Sequence, residues 1–158
     1  MLENLHLNTI VPIIIVISSI SLLIYFAWKT LITSNLFQKG LNLYQQKDYQ
    51  NAEAVFRQVT SINSTNDVVR LLLGDTLLQQ GKIEQAIEKY QEVIIRAPKK
   101  ADAYLRLSRI YMQQDKQSTA IEYLQKAQEV LQKRQPEKAE EISQLLEKLN
   151  QSGVGSRE

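Results

Sequence analysis

The sequence predicts an all-α protein: one N-terminal transmembrane helix, then a three-repeat α-solenoid, then a C-terminal capping helix. Three observations carry this reading. Residues 10–28, "IVPIIIVISSISLLIYFAW", contain no charged side chain. "QQKDYQNAEAVFRQV" (Gln45–Val59) and "QQGKIEQAIEKYQEV" (Gln79–Val93) match at one position after another with an offset of 34, and "QQDKQSTAIEYLQKA" (Gln113–Ala127) follows after the same interval. Beyond Pro136, the apolar residues Ala139, Ile142, Leu145, Leu146 and Leu149 recur on one helical face.

Taken in order, residues 1–9 are a short N-terminal tail and residues 10–32 the anchor. The uncharged stretch is about 28 Å long as a helix, close to the ~30 Å hydrocarbon core of a bilayer. Pro12 is expected in its first turn, where a missing N–H costs no helical bond. Tyr25, Trp28 and Lys29 suit an interfacial anchor at its end. A cleaved signal peptide wants a basic start, and "MLENLHLN" has none. A buried core helix this apolar would need more protein around it than the chain supplies. Lys29, Lys39 and Lys47 follow the span and no Lys or Arg precedes it, so the positive-inside rule puts the repeats on the cytoplasmic or stromal side.

The repeats occupy 33–66, 67–100 and 101–134 without gaps. Gly40, Gly74 and Ser108 share the eighth place, and Ala52, Ala86 and Ala120 the twentieth. Leu43, Leu77 and Tyr111 share the eleventh, Phe56, Tyr90 and Leu124 the twenty-fourth, and Val59, Val93 and Ala127 the twenty-seventh. Each unit reads as two amphipathic helices broken at Lys47-Asp48, Gly81-Lys82 or Asp115-Lys116. Small residues on both helices let the two backbones approach, and the large residues fill the space beside them. Pro98 stops the second unit. The membrane helix is expected to continue to about Gln46, since no Pro or Gly lies between Trp28 and Gly40. The last repeat helix is expected to reach about Gln135. A capping helix follows over 135–150, and 151–158 is a flexible tail.

This pattern resembles the tetratricopeptide repeat. The resemblance implies a protein-interaction scaffold with a concave groove lined by the first helix of each unit. The groove places implied by the family fall on Phe37, Leu41, Tyr44, Val68, Leu71, Asp75, Leu78, Leu105, Arg109 and Met112, with Gln45, Gln79, Asp102 and Gln113 beside them. Much of this set is apolar, which suits an apolar or amphipathic protein segment, a peptide or a helix. Two readings without a partner compete: Phe37 and Leu41 pack on headgroups or a neighbouring turn, or the C-terminal helix folds over Leu105 and Met112. Asp75 and Arg109 either orient a ligand or pair with each other. Phe37 and Leu41 stand where the family's binders of chaperone tails carry Lys and Asn, and Arg106 alone resembles that clamp, which disfavours such a partner.

Other function classes find no support. The charge balance, 19 basic against 17 acidic residues with net +2, shows no basic concentration for nucleic acid. Tyr44, Tyr49, Tyr90, Tyr104, Tyr111 and Tyr123 fall mostly where the repeats place packing aromatics. The chain has no Cys and one His, His6, so a thiolate nucleophile and a His-rich metal site are excluded. No phosphate-cradling glycine motif occurs, and Glu140-Glu141 reads as a solvated helix face. The expectation is therefore no enzyme, no cofactor and no small-molecule substrate. One N-terminal span followed by three such repeats is similar to the cyanobacterial and plastid family implicated in photosystem I assembly. That implies a thylakoid (or bacterial inner-membrane) assembly factor; the alternatives are a docking subunit of a translocation or secretion apparatus and a passive tether.

Overall fold

A single helix of 44 residues, α1, runs from Leu2 to Gln45 in the computed structural model. The structure describes residues 2–154, with side chains from 10 to 151. Six more helices follow: α2 (Tyr49–Ile62), α3 (Asp67–Gln79), α4 (Ile83–Arg96), α5 (Ala101–Gln113), α6 (Gln117–Leu131) and α7 (Pro136–Val154). The described residues contain no strand. The principal helix–helix contacts all join consecutive helices, the signature of a solenoid.

From Ile10 to Trp28 α1 is apolar with only three serines interspersed, and no side chain there is buried by the other described residues. Its hydroxyls are satisfied within the helix. Ser18 and Ser19 both donate to the Ile15 carbonyl, at 2.9 and 2.7 Å, and Ser21 donates to Ile17 at 2.9 Å. Back-bonding of this kind removes most of the cost of carrying serine in an apolar environment. Pro12 does not sit in the first turn, because the helix already begins at Leu2. No Gly or Pro in "LENLHLNTIV" prevents helix there, and Pro12 lies inside the helix, where it gives up its bond to the residue 8 carbonyl. Residues 2–9, read as a tail, are thus helical.

Each hairpin turns at the same place. Lys47, Gly81 and Asp115 adopt left-handed backbone, with φ of 61°, 75° and 57°. The next residue's N–H then reaches back to the preceding helix: Asp48 to the Leu43 carbonyl, Lys82 to Leu77 and Lys116 to Tyr111, each at 2.9 Å. This Schellman closure ties off the first helix of each unit. Glycine occupies the strained position only in the second unit; Lys and Asp bear it in the others.

The hairpins then close by interdigitation. A Cβ placed on Gly40 would lie 2.6 Å from Phe56 Cε1, and one on Gly74 2.5 Å from Tyr90 Cε1. The ring of the second helix therefore lies directly against the bare backbone of the first. Ala52, Ala86 and Ala120 are fully buried, as are Phe56, Tyr90, Val59, Val93 and Ala127. Each large side chain so buried contributes about 1.5–3 kcal/mol. One core cluster spans the first two units and reaches α5; a second joins α5, α6 and α7 through Leu124, Leu131, Ala139, Ile142 and Leu146.

Two ends differ from the sequence reading. α6 stops at Leu131, short of Gln135. Pro136 disfavours helical backbone at the residue before it, and the N–H groups of Arg134 and Gln135 turn back to the Leu131 carbonyl. α7 starts at Pro136 and continues to Val154, past the expected limit of 150, since nothing before Gly153 breaks it. Residues 155–158 of the expected tail lie outside the described residues.

A polar staple joins the first unit to the second. Glu53 receives Arg57 Nε at 2.8 Å, Lys82 Nζ at 2.7 Å and Gln80 Nε2 at 2.8 Å. Burial alone would raise the Glu53 carboxyl, but the hydrogen bonds from Lys82, Arg57 and Gln80 outweigh it and hold it at about 2. Because the folded-state value lies below the ordinary 4.5, this stabilisation is complete above about 4.5 and is lost as pH falls from there towards 2. Helicity followed against pH should therefore show wild type losing thermal stability across that window, while Glu53→Gln starts lower and loses less.

Candidate partner-binding groove

The first helices of the three units, the C-terminal part of α1 with α3 and α5, bring Tyr44, Asp75, Leu78, Gln79, Asp102, Leu105, Arg106 and Arg109 around one recess of about 320 Å³. Tyr44, Leu78 and Leu105 are half-buried and provide its apolar surface; Arg109 is exposed. A 13-residue helix with its apolar face packed on the second helix leaves the opposite face for this surface, which is why residues a turn or so apart on α3 and α5 converge there.

A latch lies in this recess. Arg106 grips Asp75 with two hydrogen bonds, Nε to Oδ1 at 2.7 Å and Nη2 to Oδ2 at 3.0 Å. The Tyr90 hydroxyl donates to Asp75 Oδ1 from α4 at 2.7 Å. One carboxylate thus joins α3 and α4 of the second unit to α5 of the third. Burial opposes the charge on Arg106, yet the Asp75 hydrogen bonds raise its pKa above the usual value. Burial, then the charge of Asp75, raises the Tyr90 hydroxyl, and the same two causes in the same order raise Tyr44. Both phenols stay protonated through the physiological range. The Asp75–Arg109 pair considered from sequence does not form. Asp75 is taken by Arg106, and Arg109 has no ion pair or side-chain hydrogen bond among the described residues.

The ten residues expected along the groove are not equivalent. Tyr44, Asp75, Leu78, Leu105 and Arg109 meet at the recess. Leu71 does not belong to the surface: it is 4% exposed and part of the first core cluster. Its place in the repeat is the same as that of Phe37 and Leu105, but the central unit has a hairpin on either side and closes over it. Leu41 is half-buried against that core. Phe37 lies instead beside a second recess of about 440 Å³, formed with Phe26, Lys29, Thr30, Thr33, Ser34, Asn63 and Asn66. Val68 is 49% exposed and Met112 half-buried; neither lines the groove recess. Leu105 also packs against the cluster that includes α7, so the C-terminal elements support it from one side without filling the recess. Arg106 was missing from the expected groove set. The signal available for it was the hydroxyl of Tyr90, where the other units carry Phe56 and Leu124: a buried phenol needs a partner, and a charged partner needs its own.

Residues 71–142 match one tetratricopeptide-repeat family and residues 43–88 another. No curated protein matches the chain in sequence. Solved structures share the fold at low identity. The Yersinia enterocolitica type III secretion chaperone SycD, in complex with a peptide of the translocator YopD, is 21% identical with a TM-score of 0.68, over 76% of this chain and 93% of that one. PcrH from Pseudomonas aeruginosa is 18% identical with a TM-score of 0.67, over 75% and 91%. PcrH in complex with the chaperone-binding region of PopD is 17% identical with a TM-score of 0.67, over 76% and 92%.

Removing the shared carboxylate leaves a phenol and a guanidinium without their partner. Asp75→Ala should cost about 1–3 kcal/mol, read as lowered thermal stability of the full chain in detergent. Leu71→Asp buries a charge in the core and should abolish cooperative unfolding, whereas Arg109→Glu, on an exposed and unpaired residue, should leave stability unchanged.

Proposed function

Residues 43–142 are tetratricopeptide repeats, and on that premise we propose a membrane-anchored scaffold that holds an apolar or amphipathic segment of a protein partner in the groove between α1, α3 and α5. The observation that carries the reading is the state of the groove residues. Asp75 and Arg106 satisfy each other, while Tyr44, Leu78 and Leu105 remain partly open and Arg109 has no ion pair or side-chain hydrogen bond among the described residues. Half-open apolar side chains beside an unused cation favour a segment with apolar anchors and an acceptor for Arg109. The front of α1, long and apolar enough to cross a bilayer and not buried by the other described residues, is the single span, with the repeats on the cytoplasmic or stromal side as the flanking lysines favour. Because α1 runs on into the first hairpin, the groove is held at the membrane surface, where a segment of a membrane protein awaiting assembly would be met.

Assembly of a membrane complex is therefore the role we favour. Photosystem I as that complex rests on the architecture, the placement of the anchor and the composition, and SycD and PcrH add nothing to it. Docking within a secretion or translocation apparatus is the second reading. What favours it is that SycD and PcrH, of the same fold, have been seen with a translocator peptide and a chaperone-binding region.

Photo-crosslinking tests the groove directly. Benzoylphenylalanine placed at Tyr44 and at Leu78 of the full chain, in its source membrane, should trap one and the same protein. The same probe at Ile95, an apolar residue 82% exposed away from the groove, should not. Trapping of that protein from Ile95 and not from Leu78 would refute the groove reading.

A further inference from the structure

A further cleft opens beside the groove, and cations predominate among the charged residues that line it. It has a volume of about 350 Å³ and lies among the start of α5, the end of α6 and the start of α7. Lys99, Lys100, Arg134 and Lys138 line it, with Asp102 the one acid among the lining residues. None of the four cations makes an ion pair or a side-chain hydrogen bond with another described residue. Several basic residues elsewhere in the stack are paired, Arg57 and Lys82 on Glu53, Arg70 on Asp67 and Glu92, Arg96 on Asp67 and Arg106 on Asp75, while this cleft gathers four that are not.

The placement also runs against helix stability. Lys100 occupies the N-cap of α5 and makes no side-chain cap, Lys99 precedes it, and Lys138 stands in the first turn of α7. Cations at the positive end of a helix are unfavourable. The other N-cap lysines have internal partners. Lys82 reaches Glu53 at 2.7 Å, and Lys116 lies over the Tyr111 ring at 5.8 Å from its centroid. Lys100 has none. Lys99 and Arg134 each stand three residues past the end of a helix, α4 or α6, and so have a helix C-terminus nearby as well. Helix electrostatics thus oppose Lys100 and Lys138, and no ion pair among the described residues offsets them.

We propose that this cleft binds a run of acidic residues in the partner segment that occupies the groove. The two sites are continuous, because Asp102 and Leu105 line both. A segment with its apolar anchors on Tyr44, Leu78 and Leu105 would pass Arg109 and lead its acidic end between Lys100, Arg134 and Lys138. A bilayer is the less suitable anion, since α1 is at the opposite end of the stack from α7. The inference rests on the groove reading for the identity of the ligand, and on the cleft's own residues for its chemistry.

The test uses the full chain in phosphatidylcholine nanodiscs and a fluorescent hexaglutamate peptide. At about 0.15 M salt, where charges more than about 8 Å apart are screened, the peptide should bind. The variant Lys100→Glu/Arg134→Glu/Lys138→Glu, with unchanged helicity, should weaken it about tenfold or more, as expected for three exposed ion pairs. Lys148→Glu, exposed on α7 and outside both the cleft and the groove recess, should leave hexaglutamate binding unchanged. Acetylation of Lys99, Lys100 and Lys138 should fall when the peptide is added. Equal affinity of wild type and the triple variant would overturn the proposal, as would protection of these lysines by phosphatidylglycerol nanodiscs without peptide. Hexaglutamate bound at the cleft in a chain whose Leu78 probe traps nothing would uphold the acid site and remove the groove.

Discussion

Everything in this stack depends on how closely the two helices of a hairpin approach. Gly40 and Gly74 leave their backbone bare, and Phe56 and Tyr90 occupy the space a Cβ would need. The third unit reaches the same end with different residues: Ser108 on one helix faces a position where Leu124 replaces the ring. A smaller second-helix residue leaves room for a larger first-helix one. The hairpins stack on one another through the faces this packing leaves, and the groove is a consequence of the stacking.

The latch illustrates the consequence. Tyr90 is fully buried, and from a ring that lies flush on Gly74 its hydroxyl reaches Asp75, which lines the recess. Asp75 in turn holds Arg106 of the next unit. With those charges paired, Arg109 at the recess and the four cations of the cleft beyond it have no ion pair among the described residues.

Much of the fold was legible because repetition reveals spacing. Three aligned copies expose the small places, the large places and the hairpin breaks, and those depend on local geometry that a period of 34 preserves. What differs between copies was harder to read. Leu71 and Leu105 hold the same place, yet one is sealed by flanking hairpins and the other lies near the end of the stack. Lys47 and Asp115 carry left-handed backbone that only Gly81 announces by its residue type. The pairing of Asp75 with Arg106 in preference to Arg109 depends on the stacking angle between units, which no single copy encodes. Pro12 was misplaced for a simpler reason: hydropathy marks where a helix turns apolar, and the helix itself begins earlier, at Leu2.

The most direct test of the account is a double-mutant cycle between Gly74→Ala and Tyr90→Leu, read from thermal unfolding of the full chain in detergent. If the ring occupies the space left by the missing Cβ, Gly74→Ala should be destabilising beside Tyr90 and nearly neutral beside leucine, as the Ser108–Leu124 pair of the third unit implies. That corresponds to a coupling of about 1 kcal/mol or more. Additive effects of the two substitutions would mean that the helices are not held by this contact, and the stack, its latch and its groove would lose their common basis.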